Sequence, residues 1–109
     1  MATVIWSKRA LAQRIQLYKN GVLEFGTFTA LKTAKKINSI ADDLEKYPTM
    51  GFIELLLADK TNHLYRAWHI NHRFKLIYWY DEKKDIVNIE DIWDTRRNPE
   101  TLTRRIKRQ

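Results

Sequence analysis

The chain has 109 residues, with 20 lysine and arginine side chains against 13 aspartate and glutamate side chains, so its formal net charge is +7. This length suits one domain, and we expect residues 1–109 to form a single domain. Hydrophobic residues make up 44% of the chain, which is too many for a disordered segment. The absence of cysteine excludes disulfides, thiolate zinc sites and cysteine nucleophiles. No apolar run is long enough to cross a bilayer and no secretory signal is visible, so we expect a cytoplasmic protein without membrane contact.

Most of the positive charge lies at the C-terminal end. Residues 95–109 hold six basic side chains against Glu100 alone, a net charge of +5, whereas residues 1–94 carry only +2. A dense basic segment is typical of a protein that meets a polyanion, such as nucleic acid, an anionic membrane surface or an acidic protein. It also suits a solubilising tail, and charge alone does not separate these alternatives.

The first half of the chain predicts one strand and two helices. The β-branched and aromatic run Thr3–Trp6 favours a strand, and Ser7 is a suitable N-cap for the helix that follows. Two antiparallel helices are predicted over residues 8–47, the first continuing through Gly21, with a break at residues 26–28 and an end before Pro48. Their apolar positions are Leu11, Ile15, Tyr18, Val22 and Phe25, then Leu31, Ala34, Ile37, Ile40, Ala41 and Leu44. We interpret both apolar stripes as core.

The second half predicts a meander of three strands over residues 64–70, 74–80 and 86–93. A change of phase after Ile89 indicates a bulge near Glu90 and Asp91. Asn98 is a suitable cap for a short basic C-terminal helix or tail that begins at Pro99. The order is therefore β-α-α-β-β-β, an α+β domain in which a helical hairpin packs on a small, mainly antiparallel twisted sheet.

The first hairpin of this meander fixes which side chains share a face. If Asn71 and His72 form the whole turn, Ile70 pairs with Arg73. One face then carries Tyr65, Ala67, His69, Phe74, Leu76 and Tyr78, and is the expected floor for the helices. The other carries Arg66, Trp68, Ile70, Arg73, Lys75 and Ile77. A face that mixes guanidinium groups with an indole suits a nucleic acid, because these groups bind phosphates and stack on bases.

An alternative for two of the cations is an ordinary ion pair, in which Arg66 and Arg96 pair with Glu90, Asp91 or Asp94. The histidines His63, His69 and His72 do not converge in this arrangement, so we expect no metal site. His69 is interpreted as a core residue and His72 as a turn residue. No glycine-rich phosphate loop is present, and we expect no cofactor.

The chain resembles the RelE/ParE superfamily of toxins from bacterial type II toxin–antitoxin systems. The resemblance extends along nearly the whole chain and depends on the order of several short motifs. These are residues 4–7 with Ala10 and Leu11, Phe25-Gly26 with residues 29–31, Leu44 with Pro48 and Gly51, Tyr65-Arg66, residues 74–78, residues 89–92 and residues 94–99. The element order of that superfamily agrees with the order predicted above.

The resemblance implies a growth inhibitor that is neutralised by a cognate acidic antitoxin in a toxin–antitoxin hetero-oligomer. It implies one of two targets: RelE-like members cleave messenger RNA in the ribosome, and ParE-like members are not enzymes but poison DNA gyrase. In the RelE-like case, the catalytic residues would be Arg66, Lys75, Arg96 and Arg97. In either case, binding of the target or of nucleic acid would involve Arg66, Trp68, Arg73, Lys75, Arg96, Arg97, Arg104 and Arg105.

One departure from the pattern bears on the choice of target. RelE-like members commonly carry an aromatic or histidine side chain near the C-terminal end, whereas here Arg97 is followed by Asn98, Pro99 and Glu100. Arginine stays protonated and is a poor general base. The absence of such an aromatic or histidine side chain slightly favours the ParE-like branch, but the sequence does not decide between the two targets. The alternative function is a non-toxic, basic nucleic-acid-binding module.

Overall fold

The computed structural model describes residues 1–58 and 61–107. Its elements are β1 (Thr3–Trp6), α1 (Lys8–Phe25), α2 (Thr27–Lys46), β2 (Phe52–Ile53), a 3₁₀ turn (Leu55–Leu57), β3 (Tyr65–His69), β4 (Phe74–Asp81), β5 (Ile86–Asp94) and α3 (Pro99–Lys107). This confirms the predicted α+β class and the order of the long elements. Among the described residues, no helix is long and apolar enough to span a membrane.

The five strands form one sheet in the order β1-β5-β4-β3-β2. All pairings are antiparallel except that of β1 with β5, where Thr3 lies opposite Ile86 and Trp6 opposite Ile89. The sheet is thus mainly antiparallel, as predicted. The edge strand β2 is missing from the prediction, because two residues give no recognisable alternation.

The helical hairpin begins and turns where the sequence indicates. The Ser7 hydroxyl accepts a hydrogen bond from the amide of Ala10 (3.0 Å), which satisfies one free donor of the first turn of α1. The helix continues through Gly21, and the chain reverses at Gly26, whose φ of 87° favours glycine. Helix α2 ends at Lys46, two residues before Pro48.

The sheet has a buried layer on each side. On one side, Ala10, Ile37, Ile40 and Leu44 of the hairpin pack against Ile70, Leu76, Tyr78, Val87, Ile89 and Ile92. On the other side, Tyr65, Ala67, Ile77 and Trp93 pack against Leu57 and against Leu102 and Ile106 of α3. The C-terminal segment is therefore a docked helix, and its single apolar line is enough to cover this face of the sheet.

The predicted register of the β3–β4 hairpin is wrong by one residue. The amide of Ile70 donates to the carbonyl of Phe74 (2.9 Å), and His69 lies opposite Lys75, so the turn has three residues. The side chain of Asn71 explains this turn, because its Oδ1 accepts hydrogen bonds from the amides of both Arg73 and Phe74 (2.9 Å each).

A shift of one residue exchanges the faces of a strand relative to its neighbour. The floor for the helices includes Trp68 of β3 and Ile70, which directly follows β3, whereas Tyr65 and Ala67 face α3. His69, interpreted as a core residue, is exposed instead, and its ring lies 5.3 Å from that of Phe52. His72 is an exposed turn residue, as predicted.

The predicted bulge in β5 is confirmed. Ile77 lies opposite Asp91, and its neighbour Tyr78 lies opposite Ile89, so Glu90 is the extra residue. The bulge places Asp91 where both α1 and α3 reach it, because Gln13 of α1 and Arg105 of α3 both donate to its carboxylate.

Candidate functional site

The predicted cationic face does not exist as a single face. Arg66 pairs with Tyr78 and Trp68 with Leu76, on the side of the sheet that packs against the helical hairpin. Lys75 lies opposite Trp93, on the side covered by α3. The one-residue shift of register is the physical reason for this separation.

Arg66 stabilises the turn that follows α2. Its Nη1 donates to the carbonyl oxygens of Gly51 (2.9 Å) and Thr49 (3.3 Å). The alternative in which Arg66 pairs with a carboxylate of β5 is therefore wrong, because its partners are backbone carbonyls. Trp68 is half-buried against the core on the helical side.

Lys75 forms a buried ion pair with Glu54. Its Nζ lies 2.5 Å from Oε2 of Glu54, and the two side chains are only 11% and 4% exposed. The other carboxylate oxygen of Glu54 accepts from the amide of Leu56 (3.2 Å) and caps the 3₁₀ turn. A phosphate group would have to displace Glu54 to reach the Lys75 ammonium.

Arg73 and Arg96 share one carboxylate, that of Asp94. Nε of Arg73 donates to Oδ2 (3.2 Å), and Nε of Arg96 lies 3.5 Å from Oδ1. Partial burial acts to raise the pKa of Asp94, but the backbone amide of Arg96 and the two guanidinium groups outweigh it, so this pKa is lowered. The ion-pair alternative is thus confirmed for Arg96, with Asp94 as its partner.

Arg105 is a structural residue. It donates to both carboxylate oxygens of the fully buried Asp91, which also lies 3.8 Å from Nη1 of Arg9. Its guanidinium carbon also lies 5.1 Å from the ring centroid of Trp93. No sequence pattern indicates the contact between Arg105 and Asp91, because the two residues are 14 positions apart and lie on different elements.

Three of the eight predicted binding residues remain largely open to solvent: Arg96, Arg97 and Arg104. We call these three the arginine patch. Arg97 lies over the ring of Trp93, with its guanidinium carbon 5.8 Å from the centroid. Arg108 of the basic segment lies outside the described residues. The patch is therefore the most exposed part of the predicted site.

A groove that the sequence did not indicate lies between α1, α2 and the β3–β4 turn. It has a volume of about 450 Å³, and its apolar lining includes Leu11, Ile15, Tyr18, Phe25, Ile37 and Phe74. The charged side chains in its lining are those of Arg14 and Arg73, which are basic, and Glu24, which is acidic. We call this the helical groove.

The helical groove corrects the interpretation of both apolar stripes as core. Leu11, Ile15 and Phe25 are 46%, 58% and 65% exposed, whereas Ile37 is buried. Leu31 of α2 is also exposed. Only the edge of each stripe nearest the sheet is covered, so the outer edge is available to a partner.

Two tyrosines near the sheet are poorly suited to act as bases. Burial, together with the nearby charge of Glu90, raises the pKa of Tyr65 to about 12. Burial also raises the pKa of Tyr78, although the amide of Gly51 and the charge of Arg66 act against it. Both phenols are therefore protonated at neutral pH.

The histidines occupy separate places. His63 stacks on Trp79 with ring centroids 3.6 Å apart, His69 contacts Phe52, and His72 lies in the β3–β4 turn. Within residues 1–58 and 61–107, no group of three histidine, aspartate or glutamate side chains is placed to hold a metal ion.

Comparison with solved structures finds the same fold in bacterial toxins. The chain is similar to a chain of the chromosomal ParDE toxin–antitoxin system from P. aeruginosa, with a TM-score of 0.67, 18% identity, and coverage of 86% of this chain and 96% of that one. It is similar to the YoeB/ParE toxin from Agrobacterium tumefaciens, with a TM-score of 0.58, 14% identity, and coverage of 84% and 96%. It is also similar to a chain of the YoeB–YefM complex from Staphylococcus aureus, with a TM-score of 0.51, 22% identity, and coverage of 84% of this chain and 94% of that one. These likenesses establish a shared fold.

Sequence comparison identifies the family directly. A search of curated protein sequences finds no match. The family model described as "ParE toxin of type II toxin-antitoxin system, parDE" matches residues 4–99, which is most of the chain. The resemblance to the RelE/ParE superfamily is thereby confirmed, and the toxin function is favoured over a non-toxic nucleic-acid-binding module. The chain belongs to the ParE toxin family of type II toxin–antitoxin systems.

Proposed function

We propose that this toxin arrests growth by binding and poisoning DNA gyrase and that it does not itself cleave messenger RNA. Of the two targets that the superfamily resemblance implies, gyrase inhibition requires a binding surface and no general base. The observation that carries this proposal is the position of α3 on the sheet.

Helix α3 covers the face of the sheet that carries Lys75, one of the cations that RNA cleavage would use. Leu102 and Ile106 are buried against the layer that contains Ile77 and Trp93, and the buried Arg105–Asp91 pair holds the helix in place. An RNA strand would therefore reach this face only after α3 had left it. A toxin that works by binding its target has no such requirement.

Two of the four predicted catalytic cations support the same conclusion. Lys75 is buried against Glu54, and Arg66 is engaged by backbone carbonyls. Cleavage of RNA also needs a group that accepts the proton of the 2′-hydroxyl. The raised pKa values of Tyr65 and Tyr78 make these phenols poor acceptors.

For the antitoxin, the helical groove is the binding site that the geometry favours. Its lining is mainly apolar, and the guanidinium groups of Arg14 and Arg73 outnumber the carboxylate of Glu24 along it. An amphipathic segment that carries acidic side chains would bury its apolar face there and pair with the arginines. The similarity in fold to a chain of the YoeB–YefM complex supports an antitoxin partner.

A second candidate, cleavage of messenger RNA, is favoured by one contact. Glu54 and Lys75 place a carboxylate beside an ammonium group, and this combination is able to accept a proton and to stabilise a phosphate. Both side chains are buried, so this chemistry would first require the face beneath α3 to open.

One pair of assays separates the two candidates. The purified toxin is added to DNA gyrase and relaxed plasmid, and separately to a translating extract, and the Glu54→Gln variant is compared in both. We expect supercoiling to be blocked by both proteins and the messenger RNA to stay intact. Cleavage of messenger RNA that is lost in Glu54→Gln, with normal supercoiling, would establish the second candidate instead. Glu82→Gln, at an exposed turn position, is the matched control.

A further inference from the structure

We propose that the arginine patch binds the sugar–phosphate backbone of duplex DNA while the toxin acts on gyrase. This inference rests on the proposed function, because duplex DNA is the substrate that gyrase holds. It assigns to the toxin a second contact, made with the nucleic acid and separate from its contact with the enzyme.

The patch presents guanidinium groups with too few carboxylates to neutralise them. Arg96 has a side chain that is 65% exposed, and it shares Asp94 with Arg73, so one carboxylate faces two cations. Arg97 and Arg104 are exposed, and Glu100 is the acidic residue between them in the sequence. The surface therefore keeps an excess of positive charge, which favours a polyanion.

The backbone that carries the patch is well ordered by local hydrogen bonds. The amide of Arg96 donates to Oδ1 of Asp94, and the amide of Arg97 donates to the Asp94 carbonyl (3.0 Å each). Asn98 then caps α3, with its Oδ1 accepting from the amide of Glu100 (3.0 Å). These bonds hold the backbone from which the guanidinium groups project, and contacts to phosphates position a protein on a duplex.

The surroundings of the patch favour a phosphate backbone over an acidic protein. Between residues 94 and 106, all of which the structure describes, no large apolar side chain is exposed, because Leu102 and Ile106 are buried. A protein segment needs apolar surface to bury when it binds, and it finds this in the helical groove. Duplex DNA binds mainly through its charge and needs none.

The test measures binding of the full-length toxin to a fluorescently labelled DNA duplex by anisotropy across a series of salt concentrations. The triple variant Arg96→Gln, Arg97→Gln, Arg104→Gln removes the patch. The control Lys32→Gln, Lys35→Gln, Lys36→Gln removes the same charge from exposed positions of α2. Arg104→Gln alone serves as a variant that leaves the β5–α3 turn intact, and thermal unfolding followed by circular dichroism checks that each protein is folded.

We expect the slope of log affinity against log salt to become shallower by about 3 in the triple variant and by about 1 in Arg104→Gln. At about 100 mM salt the triple variant should bind at least about tenfold more weakly than the parent, and the control should show a smaller loss. Equal losses in the triple variant and the control would overturn the assignment to the patch. Tighter binding to an RNA duplex of the same sequence would overturn the assignment to DNA.

A gyrase assay on the same proteins distinguishes this inference from the proposed function. If the parent blocks supercoiling but the triple variant keeps its affinity for DNA, the inference fails and the proposed function stands. If the parent binds DNA through the patch but leaves supercoiling unchanged, the proposed function fails and the DNA contact stands. If both hold, the triple variant needs a higher concentration than the control to block supercoiling.

Discussion

Arg105 on α3 donates from both Nε and Nη2 to the two carboxylate oxygens of Asp91, whose side chain has no exposed surface. Nε2 of Gln13 on α1 donates to the same carboxylate (2.8 Å), and Arg9 lies nearby. The residue that follows the β-bulge therefore connects the first helix, the last strand and the C-terminal helix. This relationship makes α3 an integral part of the domain.

Replacement of Arg105 by alanine should lower the free energy of unfolding by about 3 kcal/mol, because it leaves a buried carboxylate with only part of its charge compensation. Urea denaturation measures this change. The control is Arg104→Ala, an exposed neighbour on the same helix, which should change stability by less than about 0.5 kcal/mol. Similar values for the two variants would contradict a structural role for the Arg105–Asp91 pair.

Tyr65 should make the protein sensitive to alkali. Its pKa is raised from 10.0 to about 12 by burial and by Glu90, so the phenolate is disfavoured in the folded state. The stability it contributes is fully present below the unfolded pKa and is lost as the pH rises through the folded pKa. Tyr65→Phe should therefore lose less stability than the parent between about pH 10 and pH 12. Urea denaturation across this range tests the difference, and parallel pH profiles would contradict it.

Gly51 should not tolerate a side chain. A β-carbon there would lie 2.6 Å from the hydroxyl oxygen of Tyr78 and 2.9 Å from the carbonyl oxygen of Ala67. The Tyr78 ring is fully buried, and its hydroxyl oxygen accepts a hydrogen bond from the Gly51 amide (2.9 Å), so it has no room to move. Gly51→Ala should lower the free energy of unfolding by about 1–3 kcal/mol.

Gly21 provides the matched comparison for Gly51. It lies within α1, and a β-carbon there would meet Cβ of Ala30 at 3.4 Å, a much looser contact. Alanine is also the better helix former by about 1 kcal/mol. Gly21→Ala should therefore be less destabilising than Gly51→Ala in thermal or urea unfolding. The reverse order would contradict the close approach of Tyr78 to Gly51.

Ile15→Asp should prevent neutralisation by the antitoxin, because it places a carboxylate in the apolar lining of the helical groove. The measurement is co-purification with the product of the adjacent small open reading frame, together with growth of cells that express both proteins. Ile15 is 58% exposed, so the fold should be retained. Leu23→Asp is the control, because Leu23 is exposed on the same helix but does not line the groove. If Ile15→Asp still co-purifies, the antitoxin binds elsewhere.

Elements with local signals could be predicted from the sequence. The start of α1 depends on the Ser7 hydroxyl and the amide of Ala10, three residues apart, and the hairpin break depends on Gly26. The bulge at Glu90 was visible as a change of phase within one strand. In each case the cause lies within a few residues of its effect.

The candidate site was predicted less accurately than these elements, because its contacts involve residues that are distant in the sequence. The register of β3 against β4 depends on one side chain, that of Asn71, and an error of one residue there placed Arg66 and Trp68 of β3 on the wrong face. Residues 75–78 are all buried because α3 covers the second face, so β4 shows no alternation that would correct the error. The buried partners of Lys75 and Arg105 are 21 and 14 residues away.

The parallel pairing of β1 with β5 has a consequence for the synthesis of this toxin. Thr3 pairs with Ile86 and Trp6 with Ile89, so β1 cannot join the sheet until almost the whole chain has left the ribosome. A contact between residues so far apart in the sequence slows folding, because the intervening chain must be brought together before the contact can stabilise the folded state. Truncated products of interrupted translation should therefore lack a complete sheet. The toxin therefore reaches its folded, active form only after β5 has been synthesised.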